Sequence, residues 1–306
     1  MARQLMHRYF TASDWGLNWP GGMAVVNASI APPPPPPLDH GWEVAMGPWF
    51  VLGGFVLGIT LNTNRMIGDV ACAWRLSYSP KGPAFGIWGV IYLWTLTSII
   101  LQLAHGYSAP TYIGEPQSNY LMAFTWLLVG IWGVTFGRGA EDDVPGFIGL
   151  SAFVLVAAAM LSLGAVGIEQ SWRSRNPWKM AGVGAPYALL AGWLCVAAAA
   201  NVGIAIKAAT TPPDPRCTRG RYRRAWEEDP VDTSSGSAWV PLVLASTVSV
   251  GAFLIPDPVL TLPIAWAVWN MKRHLRNWVA LEVLAVTFVA TTVQVATERW
   301  VVKDVK

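Results

Sequence analysis

Pro80-Lys81-Gly82-Pro83-Ala84-Phe85-Gly86-Ile87-Trp88-Gly89-Val90-Ile91-Tyr92-Leu93-Trp94 carries a proline-marked loop straight into an apolar run with aromatics at close intervals. Proline fixes φ and lacks an N–H, so it suits a loop or a first helical turn and marks where such a run begins. Phe85, Trp88 and Tyr92 stand at i, i+3 and i+7, which puts them on one helical face. Gly82, Gly86 and Gly89 thin an adjacent flank. A face of this kind grips either a flat ligand or a neighbouring helix, and spacing alone leaves both open.

Working outward, the 306 residues are 53% hydrophobic and 13% charged, against roughly 25% charged in an average soluble domain. Repeated apolar runs then predict an all-α, polytopic helical membrane bundle. Tryptophan, at 18 residues, outnumbers phenylalanine at 10 and tyrosine at 8; anchoring at the membrane interface accounts for part of that excess. A net charge of +3 with its basic residues in loops excludes a nucleic-acid surface.

The chain divides into an extended proline-rich arm at 1–47, a transmembrane bundle at 48–301 and a short tail at 302–306. The arm holds the run Pro32 to Pro37, expected to be polyproline II, and no signal-peptide core follows its basic start. Spans are expected at about 48–66, 84–104, 119–137, 146–168, 185–206, 238–255, 258–271 and 278–297. That makes eight, or seven if 258–271, shorter than the roughly 17 residues a straight span needs, does not cross. Gly54 and Gly58 form a small-xxx-small pair suited to close helix packing. The polar loop at about 207–237 sets five arginines beside Glu227, Glu228 and Asp229, and reads as a self-neutralising solvated loop.

No chemistry of an enzyme is visible. Cys72, Cys195 and Cys217 form no CxxC pair, and the four histidines are scattered, so no metal site is expected. Nor is there a nucleophile elbow or a pair of intramembrane carboxylates. His105, at the end of the second span, is the one position placed to ligate a haem iron or a chlorophyll magnesium, although a lone histidine at a helix end is ordinarily interfacial. On the fifth span, Trp193, Ala197 and Asn201 recur every four residues and are expected to share a face open to a helix or a ligand.

The run from Pro83 to Tyr92 resembles the tryptophan-rich sensory protein and translocator protein family, whose second segment begins with a proline loop and a Phe-x-x-Trp-x-x-x-Tyr helix. Gly192 to Asn201 and Asp257 to Val268 are similar to helices of its longer, multi-span members. The third span departs from the family's Asn-x-x-Trp pattern, reading Ala123-Phe124-Thr125-Trp126.

The resemblance implies a helical bundle that binds a planar hydrophobic ligand, a porphyrin, chlorophyll or sterol, for transport or sensing. Carried over to this chain, the ligand residues are Pro83, Phe85, Trp88 and Tyr92, with Trp193 and Asn201 opposite. It also points to an organelle membrane, mitochondrial or plastid. The alternative is an accessory subunit of a large respiratory or photosynthetic membrane complex. Such a subunit would dock on partner chains through residues 1–47 and on lipids or pigments through its tryptophan-rich exterior.

Overall fold

A bilayer core offers no water to backbone N–H and C=O groups, so long apolar segments satisfy those groups internally as helices. The computed structural model describes residues 41–62, 74, 76, 82–105, 114–141, 145–169, 179–212 and 258–270, and among these there is no strand. The helices are α1 (Gly41–Asn62), α2 (Ile87–His105), α3 (Pro116–Glu141), α4 (Pro145–Glu169), α5 (Ala185–Thr210) and α6 (Pro258–Trp269). A 3-10 turn, Gly82–Gly86, leads into α2, and a π-helical turn, Met180–Gly184, leads into α5. Five of these segments are long and apolar enough to cross a membrane: Ala45–Asn62, Ala84–Ala104, Pro116–Arg138, Pro145–Glu169 and Met180–Thr210. The chain is an integral membrane protein.

The first helix begins at Gly41, ahead of the expected start at 48, and takes Pro48 into its interior. Proline is tolerated in a membrane helix because neighbouring groups re-satisfy the backbone it frees. The expected spans at about 238–255 and 278–297, the arm up to residue 40 and the arginine-rich loop from 213 on lie outside the described residues. The stretch expected at 258–271 is the 12-residue helix α6.

The five spanning helices close a ring in the order α1, α3, α4, α5, α2, with α2 meeting both α5 and α1. Close approach at α1–α3 depends on glycine. A Cβ at Gly54 would overlap the Ala123 carbonyl oxygen, and one at Gly58 that of Trp126. By contrast α2 packs sparsely on its two neighbours, and α6 lies along α5.

Polar side chains from four helices join at the end of the bundle where α2 and α4 finish. Glu169 is buried and accepts bonds from the Glu115 N–H (2.9 Å) and the Ser118 hydroxyl (3.0 Å). Its other oxygen pairs with Lys179 at 3.2 Å, and Glu115 pairs with the same ammonium. Deeper in, the Tyr187 hydroxyl donates to Asn119 Oδ1 at 2.5 Å, while Gln102 accepts from the Gly114 N–H at 3.2 Å and donates to Ser98 at 3.1 Å. Buried groups of this kind are tolerable in an apolar setting only when each finds a partner. On the opposite side, the Trp74 indole donates to the Thr211 carbonyl at 3.1 Å, tying the link after α1 to the end of α5.

Candidate functional site

The helical face foreseen for Phe85, Trp88 and Tyr92 is met by aromatics from three other helices. Within α2 the Trp88 ring stacks on Tyr92, with centroids 5.3 Å apart and planes at 28°. From α5, Trp193 presents an edge to both Phe85 (5.9 Å, 84°) and Trp88 (6.2 Å, 82°). From α3, Trp126 sits 5.8 Å from Tyr92, and from α1, Phe55 stands edge-on to Trp126 at 4.9 Å. Edge-to-face and offset contacts suit the ring quadrupoles, each contributing about 0.5–1.5 kcal/mol beyond buried area.

Polar atoms punctuate this cluster. The Tyr92 hydroxyl lies 3.3 Å from the Asn62 amide, at the end of α1. Trp126 and Trp193 are almost completely buried, yet among the described residues neither indole N–H has a hydrogen-bond acceptor. Leaving a buried donor unpaired costs about 1–3 kcal/mol, so two in one cluster is unusual. Among the described residues no group of His, Cys, Asp and Glu could hold a metal ion.

Of the residues picked from sequence, Phe85, Trp88, Tyr92 and Trp193 come together. Asn201 turns elsewhere, beside Ser151 of α4, with 3.3 Å between Ser151 Oγ and Asn201 Oδ1. The reason is helical geometry. Eight residues at about 100° each leave Asn201 about 80° around the helix from Trp193, so a four-residue repeat drifts from one neighbour to the next. The Ser151 hydroxyl hydrogen is committed to the Ile148 carbonyl at 2.7 Å. Exchanging the oxygen and nitrogen of the Asn201 amide then lets its NH2 donate to Ser151. Pro83 lies in the turn before α2, and His105 ends α2.

Phe55, Asn62 and Trp126 were not picked out as site residues. Phe55 and Asn62 are seven apart and so share a face of α1, a spacing visible in the sequence. What the sequence lacks is any sign that this face meets α2.

A family model described as TSPO-like protein matches residues 49–212, more than half of the chain. The chain belongs to the TSPO-like family. The match takes in α1 from Trp49 onward, the other four spanning helices and the whole aromatic cluster, and stops before α6. No curated protein and no solved structure matches the chain. Within this TSPO-like bundle, the glycine contacts of α1 with α3 bring Phe55 and Trp126 within reach of the α2 aromatics.

Proposed function

We propose that this TSPO-like membrane protein binds a planar hydrophobic ligand with hydrogen-bond acceptors on its edge, a tetrapyrrole or a sterol, between α1, α2, α3 and α5. Transport or sensing of that ligand, without turnover, is the proposed role. The observation that carries the reading is the pair of buried indole donors, Trp126 and Trp193, left without acceptors among the described residues inside an aromatic cluster.

The energetics favour such a guest. A flat ligand that parts Trp88 from Trp193 exchanges ring–ring contacts for ring–ligand contacts of similar worth, about 0.5–1.5 kcal/mol each. Satisfying the indole N–H groups is then a net gain, because among the described residues those donors have no acceptor to give up. The wider topology of eight spans belongs to the same proposal, with the apolar stretches at about 238–255 and 278–297 as further membrane segments.

The test is a titration of the detergent-solubilised full chain with protoporphyrin and with cholesterol, read by tryptophan quenching and by competition. Saturable binding of at least one, weakened in Trp88→Ala and in Trp126→Phe, is expected. Saturable binding whose affinity is the same in Trp88→Ala, Tyr92→Ala and Trp126→Phe would remove the aromatic cluster as the site.

A further inference from the structure

The cluster lies at the least secured seam of the ring. Helix α2 and the turn that leads into it carry Trp88, Tyr92 and Phe85, but α2 packs sparsely on α5, which carries Trp193. What spans that seam comes from outside the family-matched region. Helix α6 packs along α5, burying Leu260, Ile264 and Ala267. Its seat is Gly192: a Cβ there would overlap the Leu260 carbonyl and come within 2.7 Å of the Pro263 ring. From this seat the Trp266 indole N–H donates to the Ala84 carbonyl at 2.9 Å. Ala84 is fully buried and adjoins Phe85, in the turn that starts α2. One helix is thereby fixed to α5 one residue from Trp193 and to α2 one residue from Phe85.

We infer that α6 sets the spacing between α2 and α5, and that Trp266 is a positioning residue for the aromatic site. The inference rests on the proposed ligand reading and extends it: a segment beyond residue 212 determines how far the Phe85 and Trp193 rings stand apart, hence the thickness of guest the cluster admits. Trp266 acts through Ala84 and touches no ligand itself. Tryptophan fits this task because its ring reaches across the seam while its single donor ends on one backbone carbonyl. Phenylalanine keeps the reach and loses the bond.

The experiment uses the full chain with Cys72, Cys195 and Cys217 replaced and spin labels at two exposed positions, Val90 on α2 and Ile206 on α5. The distance distribution between them is recorded alongside the protoporphyrin affinity for wild type, Trp266→Phe and Gly192→Val. Trp49→Phe, at an exposed position on α1, controls for the loss of one tryptophan from the quenching signal. Trp266→Phe is expected to broaden or shift the distances and to weaken protoporphyrin binding about fivefold, as loss of one net hydrogen bond would. Gly192→Val is expected to do more of both, and Trp49→Phe to change neither. An unchanged distance distribution in Trp266→Phe overturns the inference, and so does a changed distribution with unchanged affinity. If Gly192→Val does not fold, Trp266→Phe decides alone. Failure of the wild-type chain to bind protoporphyrin saturably, while still binding cholesterol, moves the same comparison to cholesterol. Binding of neither overturns the proposed function, and this role with it.

Discussion

Lys179 and Glu169 face each other at 3.2 Å where α4 ends and the fifth span begins, with the Glu169 carboxylate buried and the ammonium mostly so. Glu115, half exposed, adds a second contact to the ammonium that water screens. Breaking a buried pair from one side leaves an uncompensated charge, at a cost of about 3 kcal/mol. Lys179→Met is expected to destabilise the solubilised protein by about that much. Adding Glu169→Gln is expected to recover most of the loss, since replacing both partners of a buried pair is often close to neutral. Thermal or denaturant unfolding of the two single variants and the double variant checks this.

The same pair predicts a pH dependence. Burial by itself lowers the Lys179 pKa, but the Glu169 and Glu115 carboxylates outweigh it and hold it above its ordinary 10.5. A raised lysine contributes stability that is fully present below the unfolded value and is lost as pH rises through the folded one. Unfolding profiles are therefore expected to be insensitive to this group at neutral pH and to fall only in strongly alkaline buffer, above 10.5. Lys179→Met should abolish that alkaline component. A wild-type loss of stability that persists unchanged in the variant would assign it to another group.

Glycines that look alike in the sequence separate sharply by surroundings. A Cβ at Gly54 or Gly58 meets α3 backbone, whereas one at Gly53, Gly86 or Gly89 meets nothing within 4 Å. Overpacking costs about 1–3 kcal/mol where backbone must move, while Gly→Ala at an open helical site gains up to about 1 kcal/mol in propensity. Gly54→Ala and Gly58→Ala are expected to destabilise, and Gly53→Ala and Gly89→Ala to be neutral or stabilising. Unfolding of the four alanine variants in one detergent decides it.

The legible parts of this fold are those written along a single helix. Apolar runs long enough to span a membrane located five helices, and the spacing of Trp88 and Tyr92 is local to α2, where their rings stack, with Phe85 in the 3-10 turn that leads into it. Helix α1 was begun too late because Pro48 reads as a boundary, although an interior proline is tolerable in this setting. The network of Gln102, Asn119, Glu169 and Tyr187 draws one residue from each of four helices, and no spacing relates them. Which helices adjoin is a property of the ring, so the contributions of Phe55 and Trp126 to the site were out of reach for the same reason.

That network supplies a sharp stability test. Tyr187 is almost wholly buried, and its hydroxyl is the donor to Asn119 Oδ1. Tyr187→Phe keeps the ring and strands the Asn119 oxygen, at an expected cost of about 1–3 kcal/mol. Because the loss lies in the buried acceptor, adding Asn119→Ala should cost less than it does in the wild type. A double-mutant cycle with no coupling between the two positions would show that the bond contributes nothing.

Trp193 and Asn201 occupy the same helix, and ligand binding should tell them apart. Trp193 contacts Phe85 and Trp88 and its indole N–H has no acceptor among the described residues, whereas Asn201 meets Ser151 on another side of α5. Trp193→Phe is expected to weaken protoporphyrin or cholesterol binding about three- to tenfold, the worth of one satisfied donor. Asn201→Leu should leave affinity unchanged. It should also leave stability within about 1 kcal/mol, since Ser151 retains its bond to the Ile148 carbonyl and no buried group loses its last partner. Parallel titrations of the two variants settle the matter. Equal losses in both would put Asn201 back against the ligand and move the site around α5 toward α4.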